Sequence, residues 1–208
     1  MADINELKSL MIDMQEDAVL ALVGSIVESG GDAMKALELC QEAMDEVGQL
    51  FESGEYFLGD LIFAGEIMSE AVEILKPALG SGGTGGLGKL VICTVQGDVH
   101  DIGKNVVKSM LDAAGFEVID LGVDVPPAKI VETVKAEGAK IVALSGVLTL
   151  ALTAMDNTVK NFTEAGLRDS VKIIVGGNPV TAQSGAAVGA DAWTNSPQEG
   201  VEICRAWA

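Results

Sequence analysis

The chain has 208 residues, of which 49% are hydrophobic and only 4% aromatic, so it can bury one or two mainly aliphatic cores. It carries 13 basic against 31 acidic residues, and the formal net charge of −18 opposes binding to nucleic acid or to an anionic membrane surface. Its three cysteines lack the paired spacing of metal ligands, which disfavours a zinc site or a disulfide framework. We therefore expect a cytoplasmic protein without a membrane segment, whose partners are proteins or small molecules.

The first 79 residues carry apolar positions at helical spacing, interrupted at Gly30-Gly31 and at Ser53-Gly54. This pattern predicts a helical bundle domain over residues 1–79. A glycine-rich run follows and predicts a flexible linker over residues 80–87. Residues 88–208 form the second predicted domain.

In this second part, short apolar, β-branched runs alternate with helical stretches. They predict strands at residues 89–95, 117–121, 140–144 and 172–175, and a weaker fifth strand at 191–193. Strands this short and apolar are typical of a parallel sheet that is covered on both faces. The prediction is a doubly wound α/β domain, flavodoxin-like or Rossmann-like, with strand order 2-1-3-4-5. Ligands of such sheets bind beyond the carboxyl ends of the strands.

The only histidine of the chain, His100, comes directly after the first predicted strand. A lone imidazole at this place is either a structural residue or a ligand, and its neighbours favour a ligand. Asp98, two residues earlier, can accept the second N–H of the ring and fix the tautomer, while Gly103 lets a bulky group approach the next helix.

Two further segments are predicted to lie at the same edge of the sheet. Residues 145–149 follow the third strand, and Gly176-Gly177 follows the fourth, so both should line one crevice with the His100 loop, bordered by residues 122–127. A deep crevice in which one imidazole can form a directional bond suggests a long, flat-ended ligand that contains a metal. We call this crevice the slot. The alternatives are that Ser145 caps a helix and that the two glycines form an ordinary turn.

The order and spacing of these segments resemble the cobalamin-binding domain shared by methionine synthase, mutases and the corrinoid proteins of methyltransferase systems. Asp98, His100 and Gly103 match its Asp-x-His-x-x-Gly motif. Forty-one residues separate Gly103 from the second motif, which begins at Ser145 and has Val147 where leucine is usual. Twenty-eight residues then separate Val147 from Gly176-Gly177.

The helical half resembles the four-helix cap that precedes this domain in methionine synthase and in methanol, methylamine and betaine corrinoid proteins. The resemblance rests on residues 55–58, followed by Ala64 and Met68, while Gly59 stands where proline is common. It implies that Phe57, Leu58 and Met68 approach the corrin, although plain bundle core is the alternative for such a pattern.

The resemblance implies that the cofactor is cobalamin, as methylcobalamin or cob(I)alamin, or a related corrinoid, bound with its lower base displaced. His100 would be the lower axial cobalt ligand, tuned by Asp98 and Ser145, and no catalytic residue is expected beyond the cofactor. The candidate cofactor-binding residues are Gly97, Asp98, Val99, His100, Asp101, Ile102, Gly103, Ser145, Val147, Thr149, Gly176, Gly177, Phe57, Leu58 and Met68.

The implied function is that of a methyl carrier, not catalytic alone, between a substrate-specific methyltransferase and a second methyltransferase with a thiol or tetrahydrofolate acceptor. A reductive activase is a further candidate partner. A corrinoid- or light-responsive regulator, a mutase small subunit and a flavodoxin-like interaction domain without corrinoid are the alternatives. The methyl donor stays open among methanol, methylamines, betaines and methoxylated aromatics. The acceptor and the oligomeric state also stay open.

Overall fold

The structure is a computed structural model and describes residues 4–79 and 86–208. These residues group into two compact units. The first contains the N-terminal helices together with residues 109–115, and the second contains residues 87–108 and 116–208. Most of the predicted linker, residues 80–85, lies outside the described residues, so the linker stays a prediction.

Residues 4–79 form four α-helices, as the resemblance implies. They are α1 (Glu6–Ile12), α2 (Glu16–Glu28), α3 (Ala33–Ser53) and α4 (Leu58–Leu79). The two interruptions in the pattern mark the breaks before α3 and α4, whereas the break between α1 and α2 was not predicted. Helix α3 begins at an Asp32 cap whose carboxylate accepts the Lys35 N–H at 2.9 Å, and it ends at Gly54 with φ of 80°. The long helices α3 and α4 pack on each other, and each also packs on one of the shorter helices, so their apolar stripes form the bundle core.

Residues 86–208 form a parallel sheet of five strands, and its order β2-β1-β3-β4-β5 confirms the predicted topology. The strands are β1 (Lys89–Thr94), β2 (Glu117–Asp120), β3 (Ile141–Ser145), β4 (Lys172–Gly176) and β5 (Ala192–Thr194). The helices of this part of the chain are α5 (Ile102–Ala113), α6 (Pro127–Glu137), α7 (Ala151–Glu164), α8 (Ala182–Val188) and α9 (Pro197–Trp207).

Two strands run one residue further than predicted. Ser145 and Gly176, which the sequence places after their strands, pair with each other as the last residues of β3 and β4. The hydrogen bonds explain the difference, because the Ser145 carbonyl accepts the Val95 N–H at 3.0 Å and the Gly176 carbonyl accepts the Gly146 N–H at 3.1 Å. The ladder therefore continues to the edge where ligands of such sheets bind.

Alternate residues of the central strands enter one hydrophobic core. Val91 and Cys93 of β1, with the corresponding residues of β3 and β4, pack in the same cluster as Met155 and Phe162 of α7. The spacing of two follows from the pleat of a strand. This core fixes the registers of β1, β3 and β4, and hence the relative heights at which their loops leave the sheet. No helix of the described chain has the length and apolar character needed to cross a membrane.

Candidate functional site

The site is built around a buried carboxylate at the exit of β1. The side chain of Asp98 is only 1% exposed, and one of its oxygens, Oδ1, lies 3.0 Å from both the backbone nitrogen and the ring Nδ1 of His100. Its other oxygen, Oδ2, accepts the backbone N–H groups of Val147 at 2.7 Å and Leu148 at 3.0 Å. The loops after β1 and β3 therefore meet on one carboxylate.

These contacts decide the charge of Asp98. Burial raises its pKa, but the N–H donors of Leu148, His100 and Val147 and the ring of His100 outweigh burial and hold the pKa below the ordinary value. Asp98 is therefore an anion at neutral pH and can only accept hydrogen bonds.

The anion in turn assigns the proton of His100. Nδ1 faces an acceptor, so in the neutral ring it carries the hydrogen, and Nε2 keeps its lone pair. The imidazole is 49% exposed, in contrast to the carboxylate behind it. A neutral imidazole with a buried anion at one nitrogen and a free lone pair at the other is an arrangement suited to metal ligation.

The exit of β2 joins the same cluster through Asp124, which sequence reasoning missed as an individual residue. Its carboxylate accepts the Gly97 N–H at 2.7 Å, and its own N–H points to the Asp98 carbonyl and the Thr94 hydroxyl, each at 3.0 Å. Thr94 is fully buried and donates its hydroxyl to the Asp98 carbonyl at 2.5 Å. The sequence does hold one signal for a turn at this position: an aspartate follows Gly122-Val123, and aspartate tolerates the left-handed turn conformation.

A buried lysine was also missed. Lys104 of α5 is 2% exposed, and its Nζ lies 2.5 Å from Asp120 Oδ2 and 2.7 Å from Asn105 Oδ1. The Asn105 amide donates to Asp101 Oδ2 at 3.1 Å. The predicted site residue Asp101 is therefore tied into a polar chain that reaches the end of β2, and a sequence pattern gives no hint that this lysine is buried.

The glycines after β3 and β4 serve close backbone packing. A Cβ at Gly177 would lie 2.0 Å from the Gly146 carbonyl oxygen, and one at Gly146 would lie 2.3 Å from the Ala151 Cβ. A Cβ at Gly176 would meet the Thr194 carbonyl oxygen at 2.9 Å. The strand exits could not approach each other with larger residues, so these glycines need no ligand to explain them, and the predicted slot stays a prediction.

The glycines of the His100 loop are different. For Gly97 and Gly103, no heavy atom of the described chain, apart from immediate neighbours and their own helix, lies within 4 Å of an added Cβ. The space beside both residues is open, as the interpretation of Gly103 as an approach point requires.

Ser145 and its neighbours occupy the exit of β3. Ser145 is half-buried, and within the described residues its hydroxyl has no hydrogen-bond partner. The N-cap residue of helix α7 is Leu150, and no side chain of the described residues caps the start of this helix. The alternative that Ser145 caps it is therefore wrong. Val147 contacts Asp98 through its backbone, while Thr149 is exposed.

Large apolar side chains lie exposed on the loops that surround His100. Val99 and Ile102 are 63% and 64% exposed, and both were predicted to belong to the site. Three more follow β2 and β3: Val123, Leu148 and Leu150. None was among the candidate cofactor-binding residues, although Val123 and Leu148 lie in the segments predicted to border and line the crevice. Together they offer an apolar surface to a ligand around a single imidazole.

The predicted cap residues belong to the helical unit and divide into two kinds. Phe57 and Leu58 are 73% and 41% exposed at the start of α4, so the alternative of bundle core does not hold for them. Met68 is 1% exposed further along the same helix. Their contact with a corrin stays a prediction.

The described residues hold no group of three or more His, Cys, Asp or Glu side chains placed to bind a metal ion. The remaining ligands of a metal bound by His100 would therefore have to belong to the cofactor that contains the metal. An apolar surface, open space at two glycines and one lone pair fit a metal inside a large macrocycle.

Comparison with known families identifies the class of both halves. Residues 88–201 match the model of the B12 binding domain, and residues 3–76 match a second model that is also described as a B12 binding domain. The fold and the site thus define a cobalamin-binding protein with a helical domain before the sheet, and its cofactor is cobalamin or a related corrinoid.

Relatives specify the family. A dimethylamine corrinoid protein of Methanosarcina mazei is 38% identical over 95% of this chain and 93% of its own length. The crystal structure of a cobalamin-binding protein from Desulfitobacterium hafniense DCB-2 is 44% identical, covers 100% of both chains and has a TM-score of 0.86. A methanol:cobalamin methyltransferase complex from Methanosarcina barkeri contains a chain that is 25% identical, covers 98% of this chain and 78% of its own length, and has a TM-score of 0.85. The chain belongs to the family of corrinoid proteins.

Proposed function

We propose that this chain carries a methyl group on the cobalt of its corrinoid between two methyltransferases, and that His100 binds the cobalt in place of the displaced lower base. The observation that carries the binding mode is the 3.0 Å contact between the buried Asp98 carboxylate and Nδ1 of the half-exposed His100 ring. It supports a tautomer whose Nε2 lone pair would bind the cobalt.

When bound, the corrinoid supplies a cobalt atom that accepts a methyl group and later releases it to a nucleophile, and this chemistry belongs to the cofactor. Asp98 holds a proton at Nδ1 and increases the electron-donating strength of Nε2. The backbone N–H groups of Val147 and Leu148 fix the carboxylate that does so. Ser145, whose hydroxyl is without a partner in the described chain, is proposed as a second tuning group on the neighbouring strand.

The names of the relatives support the carrier role. We propose dimethylamine, trimethylamine and monomethylamine as the first methyl donors to test, and methanol as the second, because relatives and solved neighbours are named for these compounds. A substrate-specific methyltransferase is proposed to load the cofactor, as the complex from Methanosarcina barkeri suggests. A second methyltransferase would pass the group to a thiol or to tetrahydrofolate, and a reductive activase would restore oxidised cofactor.

The binding mode is tested by an ultraviolet-visible spectrum after reconstitution with hydroxocobalamin and desalting. The wild type should retain corrinoid with the absorption of a histidine-ligated cobalt, and His100→Ala should lose that signature. Gln96→Ala is the matched control, because Gln96 is an exposed residue of the same loop and should leave the spectrum unchanged. A folded wild type that retains no corrinoid would overturn the proposal.

The carrier role needs a separate test with partner enzymes. Wild-type protein charged with cobalamin should turn over with a methylamine:corrinoid methyltransferase and a thiol-directed methyltransferase, while cobalamin alone at the same concentration should be much less effective. Histidine ligation without methylation by any donor system of this class would leave the cofactor in place and favour the regulatory alternative.

A further inference from the structure

Asp124 adopts a backbone conformation that residues other than glycine rarely take, although aspartate tolerates it better than most. It lies in the loop between β2 and α6 with φ of 52°, and among the described residues only Met14 shares a positive φ without being glycine. Such conformations cost free energy and persist where surrounding contacts hold them. The contacts of Asp124 are therefore the place to look for a reason.

Those contacts all lead to the segment that carries His100. The Asp124 carboxylate accepts the Gly97 N–H at 2.7 Å, and the Asp124 N–H approaches the carbonyl oxygen of Asp98 at 3.0 Å. The same N–H is shared with the hydroxyl of Thr94, which itself donates to that carbonyl. The peptide unit between residues 96 and 97 and the one between residues 98 and 99 are thus held from the exit of β2.

Asp98 is consequently held from two sides. Its backbone is bonded to the loop after β2, and its carboxylate is bonded to two N–H groups of the loop after β3. The direction of the His100 ring depends on the carboxylate, because Nδ1 lies 3.0 Å from it. A change in the backbone at Gly97 would turn the carboxylate away from one of its partners.

The fold itself has other support at this place. Val125 pairs with Val95 in a parallel bridge, and the Val125 N–H donates to the Thr94 carbonyl at 3.2 Å. The Asp124 side chain is exposed and adds nothing to the hydrophobic core. Its carboxylate therefore acts on the loop and not on the sheet.

We propose that Asp124 is a positioning residue for His100, which aims the imidazole by fixing the Gly97-Asp98 backbone from the second strand exit. This inference rests on the proposed function for its relation to cobalt, while the aiming of the ring concerns the protein alone. Asp124 touches neither the ring nor, by this inference, the cofactor. Its effect reaches the metal through Asp98 and His100.

Two substitutions separate the carboxylate from the backbone conformation. Asp124→Asn keeps a side-chain oxygen that can accept the Gly97 N–H, and asparagine also tolerates the left-handed region. Asp124→Gly accepts the positive φ more readily and loses the acceptor. Both variants should fold, with unfolding midpoints close to that of the wild type. The comparison isolates one hydrogen bond.

The first measurement uses the apoprotein. Because His100 is the only histidine, labelling histidine with nitrogen-15 gives a single imidazole in the NMR spectrum. Wild type and Asp124→Asn should show the tautomer with hydrogen at Nδ1 and slow exchange of that hydrogen. Asp124→Gly should show a mixture of tautomers and faster exchange of that hydrogen than the wild type.

The second measurement adds hydroxocobalamin. Asp124→Gly should weaken retention of the corrinoid about tenfold and lower the histidine-ligated fraction, and Asp124→Asn should restore both. An Asp124→Gly protein with the wild-type tautomer, exchange rate and ligated fraction would overturn the inference. Equal impairment of Asp124→Asn and Asp124→Gly would also overturn it, because only one of them lacks the acceptor.

The two proposals fail in different ways. If the wild type binds corrinoid without histidine ligation, the binding mode of the proposed function is wrong, whatever Asp124 does. If the tautomer of the apoprotein still depends on Asp124 in that case, the positioning of His100 is supported on its own. If ligation is normal in every variant and the apoprotein spectra are identical, only the inference about Asp124 is wrong.

Discussion

The glycines at one edge of the sheet have different surroundings. Those at the exits of β3 and β4 lie against neighbouring atoms, whereas those at the exit of β1 lie beside open space. At Gly146, Gly176 and Gly177, an added Cβ would overlap neighbouring atoms at 2.0 to 2.9 Å. At Gly97 and Gly103, the described chain leaves the space open. The missing side chains therefore let the backbone pack closely in the first region and leave open space in the second, where we propose that the cofactor approaches. Substitution of glycine by alanine should separate the two regions.

The largest effect is expected for Gly177→Ala. The backbone of Gly177 has φ of 116°, and its added Cβ would lie 2.0 Å from the Gly146 carbonyl oxygen, so the exits of β3 and β4 would have to move apart. Strain and clash together should lower the free energy of unfolding by about 3 kcal/mol or more. Urea denaturation measures it.

Asn178→Ala is the control for this change, because Asn178 is exposed in the same loop and is expected to have little effect. If Gly177→Ala unfolded at the same denaturant concentration as the wild type, close backbone packing would not be the reason for this glycine. The interpretation as a ligand slot would then regain its force.

An intermediate effect is expected for Asp98→Ala, which tests how the open region is held. Removal of the carboxylate leaves the N–H groups of Val147, Leu148 and His100 without their acceptor at a partly buried place, which should lower the free energy of unfolding by about 2 kcal/mol. Histidine ligation of cobalt should be lost at the same time. Thermal unfolding at pH 7 and the corrinoid spectrum measure the two effects.

The pH dependence of this stabilisation follows from the lowered pKa of Asp98. An aspartate whose folded pKa lies below its unfolded value, about 3.9, stabilises the fold fully above that value and loses the effect as pH falls through the folded pKa. The difference in stability between wild type and Asp98→Ala should therefore be constant between about pH 5 and about pH 7 and should shrink below about pH 4. A difference that grew on acidification would contradict the assignment of an anion.

The contrast between the two regions also explains what the sequence could reveal. The strand order and the Asp98–His100 pair were predictable, because the side-chain types reveal both the short apolar runs that alternate with helical stretches and the spacing of two residues between Asp98 and His100. The donors at Val147 and Leu148 were not, since a backbone N–H has no residue signature. Asp124 and Lys104 were missed because their roles depend on which loops and helices come together in space.

The interpretation of the glycines shows a second limit. The sequence reveals that side chains are absent at Gly103 and at Gly177, but it does not reveal what fills the place. The structure distinguishes the two glycines, because the Gly146 carbonyl lies where a Cβ of residue 177 would be, whereas the space beside Gly103 in α5 is open.

The smallest effect on stability, and the sharpest test of the comparison, is expected for Gly103→Ala. Gly103 lies in the first turn of α5 with room for a Cβ, so alanine should raise the free energy of unfolding by about 0.5 kcal/mol through its better helix propensity. The same methyl group lies three residues after His100, where the proposed cofactor approaches the helix, and should weaken retention of hydroxocobalamin. A stabilised apoprotein with reduced corrinoid affinity would show that Gly103 leaves room for a ligand at a small cost in stability, whereas unchanged affinity would make this glycine as structural as Gly177.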